Sequence, residues 1–249
     1  MKKKLIILLI LIQLPYLLSS QQSDQEASNI IEKIDKNMFS KTQIVKSEMI
    51  VYGKRKKRVI RSNGYSMGKE NNFTEYLSPE REKGTKMLKL DNRLWIYSPG
   101  TDRTIQLSGH LLRQSVMGSD LSYEDMMEER KLSEIYDAKI VEEGNFNNSP
   151  VWIMDLISKF EGLAYHKRKL WIDKTKFVPL KENLYAKSGT LLKTTIFSNI
   201  KKIDNRWYPM KINYKDMLKD GKGTDFVIID ISFDTHIPKE YFSKNMLKK

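Results

Sequence analysis

The stretch Trp95–Met126, WIYSPGTDRTIQLSGHLLRQSVMGSDLSYEDM, decides the fold that the sequence predicts. Its first segment, 94–97, is rich in aromatic and branched side chains and favours a strand. Pro99 and Gly100 then predict a turn. In the segment 103–107 apolar and polar residues alternate, which is typical of a strand with one buried face. The stretch therefore begins as a hairpin, and it contains no obvious catalytic residue.

The second half of this stretch predicts two short helices. Apolar residues between Leu111 and Met117 have helical spacing, and Gly118 is well suited to end that helix in the left-handed conformation. Ser119 or Ser122 is predicted to cap the next helix. With Ser122 as the cap, Asp125 takes the third helical position, in a near relative of the capping box.

Strand-like segments recur along the rest of the chain. They lie near residues 44–52, 57–67, 72–78, 85–91, 94–98, 103–108, 135–142, 151–158, 167–173, 180–186, 191–200, 207–214 and 225–233. This is too many strands for a flat sheet, so we expect one long antiparallel sheet that curls. Ahead of the strands, apolar residues on one helical face predict an N-terminal helix that covers the sheet: Ala27, Ile30, Ile31, Ile34 and Met38.

The stretch Trp95–Met126 resembles the signature of the periplasmic lipoprotein-sorting, or LolA-like, proteins, in the variant called outer-membrane lipoprotein-sorting protein. Segments 84–90, 171–181, 207–209 and 237–243 resemble the same family, so the similarity spans nearly the whole chain after its N-terminus. The resemblance implies a mainly β fold: a single strongly curved antiparallel sheet, or unclosed β-barrel, with an N-terminal helix and short lid helices covering an apolar cavity.

Strand alternation predicts which side chains line that cavity. The candidate lipid-binding residues are Val45, Met49, Val51, Leu88, Leu90, Leu94, Ile96, Leu156, Ile196, Met210, Ile212, Val227, Ile229 and Ile231. In strands with apolar residues on both faces, such as 94–97, the direction stays open. The alternative for each residue is packing within an ordinary core. The candidate lid residues, which would move to admit a lipid, are Val116, Met117, Leu121, Met126 and Met127. Methionine is flexible and suits such adaptable packing.

The N-terminus predicts export. Residues 2–4 are lysines, and 5–18 form a hydrophobic segment shorter than the ~20 residues of a membrane span, which is typical of a cleavable signal peptide at 1–20. Retention as an anchor is the alternative. We therefore expect a periplasmic protein with a single domain at 21–249. The chain has no cysteine, which excludes disulfides and thiol chemistry.

The chain is strongly basic. Its net charge is +13, and it stays at +10 without residues 1–20, which contain three lysines and no acidic residue. The densest basic block is Lys54, Arg55, Lys56, Lys57 and Arg58. It is interpreted either as a solvated hairpin tip or as a contact surface for anionic membranes. Export argues against nucleic acid as a partner.

An enzyme is not predicted. His110, His166 and His236 lie far apart without metal-ligand spacing, and acidic residues 124–129 follow helical spacing on what we expect to be a solvated face. We expect Asp120 to fix its own Gly-Ser-Asp turn instead. No catalytic residue, metal site or cofactor is predicted.

The resemblance implies a monomeric carrier that shields the acyl chains of lipoproteins and transfers them from the inner to the outer membrane. Its expected partners are acylated lipoproteins, or phospholipid, and an inner-membrane ATP-driven release complex. The alternative is a periplasmic lipid-binding or adaptor subunit of an export pump.

Overall fold

The computed structural model of the protein describes residues 25–53, 56–128 and 130–249. The predicted signal peptide and two residues of the basic block, Lys54 and Arg55, lie outside these ranges. No helix in the described ranges is long and apolar enough to cross a membrane.

Thirteen antiparallel strands form one sheet. In chain order they are β1 Thr42–Tyr52, β2 Lys57–Met67, β3 Asn71–Ser78, β4 Lys86–Leu90, β5 Arg93–Ser98, β6 Arg103–Leu107, β7 Tyr136–Phe146, β8 Ser149–Ser158, β9 Lys167–Asp173, β10 Pro179–Tyr185, β11 Leu191–Ile203, β12 Arg206–Asp216 and β13 Thr224–Phe233. Helix α1 covers residues 25–38. The mainly β fold with an N-terminal helix is therefore confirmed.

The strands follow the order β6-β5-β4-β3-β2-β1-β13-β12-β11-β10-β9-β8-β7. Every neighbour is also a sequence neighbour except β1 and β13, which pair in the middle of the sheet. The first and last strands of the order, β6 and β7, do not pair, so the predicted barrel is unclosed. Residues 108–135, here called the lid segment, join these two strands. They contain the 3-10 turns Gly109–Arg113 and Val116–Gly118 and the short helices α2 Tyr123–Met127 and α3 Leu132–Ile135.

Helix α1 buries one face, as its apolar spacing predicts. Ala27, Ile30, Ile31 and Ile34 are at most 3% exposed. They pack against inward side chains of β8 and β9, which are Met154, Leu156, Leu170 and Ile172. The predicted helical face is confirmed.

The two faces of the sheet are set by alternation along each strand, and directly opposed residues of antiparallel strands share a face. We call the face that carries Met49 the cavity face and the other the outer face. Met49 lies opposite Ile60 of β2 and Phe226 of β13.

Leu88 and Leu90 lie on the outer face, so their predicted inward direction is wrong. Leu88 lies opposite Phe73, whereas its neighbour Met87 lies opposite Thr74 on the cavity face. Both leucines are apolar although they point away from the cavity, because the outer face is covered at this place. The C-terminal 3-10 turns Lys239–Phe242 and Lys244–Leu247 pack on it.

A bulge in β13 overturns the predicted direction of Ile229 and leaves that of Ile231 as predicted. Val45 lies opposite Ile231, but Ser47 lies opposite Ile228, so the chain gains one residue between these pairs. The extra residue reverses the alternation. Ile231 therefore faces the cavity side, while Ile229 is 58% exposed.

Val227 and Ile196 also lie on the outer face, against expectation. Val227 lies opposite Glu48 of β1, one step from Met49. Ile196 lies opposite Asn213, one step from Ile212. In both strands apolar residues occupy both faces, so alternation alone does not give the direction.

Candidate functional site

A cavity of about 240 Å³ lies between the sheet and the lid segment. Strands from both sides of the β1–β13 pair and two lid residues line it. The lining residues are Gln43, Val45, Ser47, Met49, Ser62, Gly64, Ser66, Asn72, Thr74, Tyr76, Leu121, Met126, Tyr208, Ile212, Tyr214, Phe226 and Ile228.

The cavity has one apolar and one mostly polar wall. The apolar wall comes from β12, β13 and the lid. The polar wall includes Ser62, Gly64 and Ser66, which alternate along β2 and leave space because their side chains are small. The Ser62 hydroxyl is 3.0 Å from the Ser47 hydroxyl, so these buried groups satisfy each other.

The structure brings part of the predicted cavity set together. Val45, Met49 and Ile212 line the cavity. Val51, Leu94 and Ile96 lie in the apolar cluster under the lid segment. Met210 and Ile231 pack in a neighbouring cluster with Tyr208 and Phe233, and Leu156 lies beneath α1. Leu88, Leu90, Ile196, Val227 and Ile229 do not join the cavity, for the reasons given above. Whether the lining side chains bind lipid stays a prediction.

The predicted lid residues all contact the cluster beneath them. Val116 is fully buried and Leu121 is 8% exposed. Met117, Met126 and Met127 are partly buried against the same cluster. The lid segment therefore presents its apolar side chains to the cavity face.

The single helix predicted between Leu111 and Met117 is instead two 3-10 turns, because the residues between them are extended and Ser115 forms a β-bridge with Ser122. Helix α2 begins as its sequence predicts. The Ser122 amide donates to Asp125 Oδ2 at 2.6 Å, and the Asp125 amide donates to Ser122 Oγ at 3.1 Å, which completes a capping box. Gly118 has a φ of +71°, as predicted. A side chain there would also approach Arg58, because a Cβ would lie 3.3 Å from its Nη2.

Asp125 also fastens α2 to the sheet. Its carboxylate pairs with the ammonium group of Lys193 on β11. Its other oxygen accepts a 2.5 Å hydrogen bond from the Tyr165 hydroxyl. The side chains of Asp125 and Lys193 are only 13% and 10% exposed. Asp125 therefore does not belong to a solvated acidic face, and that expectation is wrong for this residue.

The electrostatics of this contact favour the charged pair. Burial alone would raise the pKa of Asp125, but the charge of Lys193 and the hydrogen bonds from Lys193, Tyr165 and Ser122 outweigh it. The net effect holds the pKa of Asp125 below its ordinary value. Burial and the nearby carboxylate raise the pKa of Tyr165, so its hydroxyl stays protonated and donates.

Asp120 forms a second attachment between the lid segment and the sheet. Its Oδ2 accepts a hydrogen bond from the Thr224 hydroxyl at 2.8 Å, and its Oδ1 accepts one from the Asp216 amide at 3.0 Å. These partners lie at the ends of β12 and β13. The prediction that the Asp120 side chain fixes its own turn is therefore wrong about its partners.

Two basic side chains complete the attachment of the lid segment. Arg58 of β2 donates to the Met117 carbonyl at 2.5 Å. Lys219, in the loop after β12, donates to the Ser115 hydroxyl at 2.6 Å and the Ser119 carbonyl at 2.7 Å. Arg58 is therefore occupied with the lid, whereas Lys56 and Lys57 of the same basic block are exposed.

Sequence reasoning missed Lys193, and alternation offers no signal for it because a strand lysine is normally read as solvent-facing. It also missed the polar wall. The small residues at alternating positions of β2, Ser62, Gly64 and Ser66, are a signal for it, because they leave a gap on one face. The described residues contain no cluster of three potential metal ligands. The site is thus a cavity with one apolar and one mostly polar wall, covered by a lid segment that polar contacts attach to the sheet.

Comparison with known proteins gives the family. A family model with the description "Uncharacterized protein" matches residues 68–249, which is most of the chain. The chain belongs to this family. No curated protein matches the sequence.

Solved structures show that this member of the family has the LolA-like fold. A domain from Vibrio parahaemolyticus described as an outer membrane lipoprotein-sorting protein superposes with a TM-score of 0.78 at 24% identity, over 91% of this chain and 100% of that one. A DUF1329 family protein from Desulfovibrio piger superposes with a TM-score of 0.80 at 22% identity, over 90% of this chain and 99% of that one. LolA superfamily protein NE2245 from Nitrosomonas europaea superposes with a TM-score of 0.74 at 24% identity, over 88% of this chain and 98% of that one.

Proposed function

We propose that this protein is a periplasmic carrier that shields the acyl chains of lipoproteins beneath the lid segment and transfers them from the inner to the outer membrane. The observation that carries the proposal is the cavity between the sheet and the lid, whose apolar wall includes Ile212, Phe226, Leu121 and Met126. Burying each CH₂ of an acyl chain gains about 0.8 kcal/mol. A carrier with such a wall keeps acylated cargo out of water.

The dimensions of the cavity require the lid segment to move. Its volume of about 240 Å³ lies below the ~300–1,000 Å³ of typical ligand pockets. The lid segment supplies Leu121 and Met126 to the lining, so its displacement enlarges the space directly. The polar attachments of Asp125 and Asp120 are reversible, which suits a protein that must load and release cargo.

The name of the Vibrio parahaemolyticus domain, an outer membrane lipoprotein-sorting protein, supports the same cargo. In this proposal the protein works as a monomer in the periplasm, reached through a cleavable signal peptide at 1–20. It receives cargo from an inner-membrane ATP-driven release complex. It acts by binding, without catalysis or a cofactor.

Native mass spectrometry of the protein purified from its own cell envelope tests the proposal. A co-purifying acylated protein is the expected result, and extraction then identifies its acyl chains. Bound phospholipid alone would replace lipoprotein with phospholipid as the cargo. A protein that is empty and also ignores added acylated peptide would contradict the carrier function.

Depletion in cells tests the transfer step separately. Loss of a lipoprotein carrier is expected to leave many lipoproteins at the inner membrane. If lipoprotein distribution is unchanged and sensitivity to exported compounds changes instead, the protein serves an export pump.

A further inference from the structure

We propose that residues 217–223, the loop between β12 and β13, dock the protein on an anionic lipid bilayer by inserting Met217 and Leu218 into its interface. Leu218 is 75% exposed and Met217 is 45% exposed. Isolated exposed apolar residues are ordinary on protein surfaces. These two are adjacent in sequence, lie on a loop between two strands, and are surrounded by basic residues.

The loop holds the two apolar residues on a defined backbone. The Met217 amide donates to the Leu192 carbonyl at 2.9 Å. The Leu218 amide donates to Asp216 Oδ1 at 3.0 Å, and the Lys219 amide donates to the Asp216 carbonyl at 3.2 Å. These bonds hold the amides of residues 217–219 while the Leu218 side chain stays in solvent and the Met217 side chain is about half exposed. The apolar pair is thus presented outward by a formed turn, and little ordering is needed to bind.

Basic side chains around the loop match an anionic surface. Lys219 and Lys222 lie within the loop and are exposed. Lys56 and Lys57, also exposed, lie in the next hairpin, since the end of β1 pairs with the start of β13. The acidic residues here are Asp216, which is 3.5 Å from Lys219, and the exposed Asp220. Each basic residue near an anionic bilayer contributes about 1 kcal/mol.

The same loop is fastened to the lid. Lys219 donates to Ser115 and Ser119 of the lid segment, and the Asp216 amide donates to Asp120. A bilayer that attracts Lys219 to its headgroups competes with these hydrogen bonds. Docking therefore weakens the attachment of the lid segment, and the consequence for acylated cargo rests on the carrier function proposed above.

Flotation of the protein with lipid vesicles tests the docking. We expect binding to vesicles of phosphatidylcholine that contain phosphatidylglycerol, and much weaker binding to pure phosphatidylcholine. Leu218→Ser should reduce partitioning roughly tenfold, because it removes one large apolar side chain from the interface. Ile229→Ser is the matched control, since Ile229 is also exposed but lies about 17 Å along β13 from the loop.

The charge contribution has its own variant. The double substitution Lys56→Glu and Lys57→Glu should weaken binding to the anionic vesicles, most strongly at low salt, and leave the residual binding to neutral vesicles unchanged. Equal binding of wild type and Leu218→Ser, or binding that ignores phosphatidylglycerol, would overturn the proposal. Capture that requires a membrane protein rather than lipid would overturn it as well.

The result is distinguishable from failure of the carrier function. Leu218 does not line the cavity, so Leu218→Ser should retain the lipid seen by native mass spectrometry. Hydrogen exchange tests whether docking weakens the attachment of the lid segment. Anionic vesicles should accelerate amide exchange in residues 115–121. Unchanged exchange in vesicle-bound protein would refute the link.

Discussion

Lys193 of β11 pairs with Asp125 of α2. The contact joins the lid segment to a strand that lies 68 residues further along the chain. Neither side chain is substantially exposed, and Tyr165 adds a hydrogen bond to the same carboxylate. The pair therefore fastens the lid segment to the cavity face of the sheet.

Asp125→Asn should destabilise the protein, since it leaves the Lys193 ammonium group buried without a counter-charge. Breaking a buried ion pair in this way costs about 3–5 kcal/mol. Urea unfolding measures the loss. In the matched double variant Asp125→Asn with Lys193→Met, the unpaired charge is gone and most of the stability should return. A double variant as unstable as Asp125→Asn would show that the pair does not act as a unit.

The Asp125 contact should also make lid closure depend on pH. Its pKa is lowered in the folded protein from an ordinary value of 3.8. The stabilisation is therefore complete at neutral pH, declines as the pH falls below about 4, and is lost below the folded pKa. Hydrogen exchange of residues 115–127 between pH 7 and pH 3 measures it. In Asp125→Asn the part of the pH dependence that comes from Asp125 should be absent. An equal pH dependence of exchange in the variant and in wild type would show that other carboxylates cause it.

The number and place of the strands follow from local sequence. Thirteen strand-like segments predict the thirteen observed strands, because alternation and turn residues are local signals. The capping box at Ser122 and the left-handed Gly118 are local in the same sense. These features need no knowledge of what the chain packs against.

The direction of the side chains was harder to predict, because it depends on distant segments. Leu88 looks like a cavity residue until the C-terminal Leu247 is seen to cover the outer face. Ile229 fits an inward pattern until the bulge in β13 shifts the register. Asp120 finds Thr224 more than a hundred residues away. Such contacts leave no trace in periodicity.

Filling the cavity should block lipid binding without burying a charge. Gly64 lines the cavity, and a Cβ there would lie 3.9 Å from the Val45 carbonyl oxygen, so a side chain fits the backbone. The side chain of Gly64→Leu would displace about three methylene groups of cargo, at about 0.8 kcal/mol each, and weaken binding roughly fiftyfold. Displacement of a fluorescent fatty acid measures the affinity.

Gly64→Ala is the control for this variant. It adds one methyl group to the same wall and should change the affinity only slightly, while its strand is no less stable than with glycine. Equal affinity of the leucine variant and wild type, with the fold intact by circular dichroism, would place the lipid outside this cavity.

The C-terminal segment should stabilise the sheet from its outer face. Leu247 is 1% exposed and packs with Phe73, Leu88 and Trp95. Leu247→Ala should therefore cost about 2–5 kcal/mol through lost burial and the remaining cavity. At about 2–4 °C per kcal/mol for a chain of this size, the melting temperature falls by roughly 4–20 °C.

Leu218→Ala is the matched comparison, because Leu218 is 75% exposed and an exposed substitution changes stability by only about 0.5 kcal/mol. Thermal unfolding followed by tryptophan fluorescence reports both variants, since Trp95 lies in the affected cluster. If Leu247→Ala has the same melting temperature as wild type, the C-terminal turns do not stabilise the outer face of the sheet. Leu88 would then lack the cover that explains why it is apolar while pointing away from the cavity.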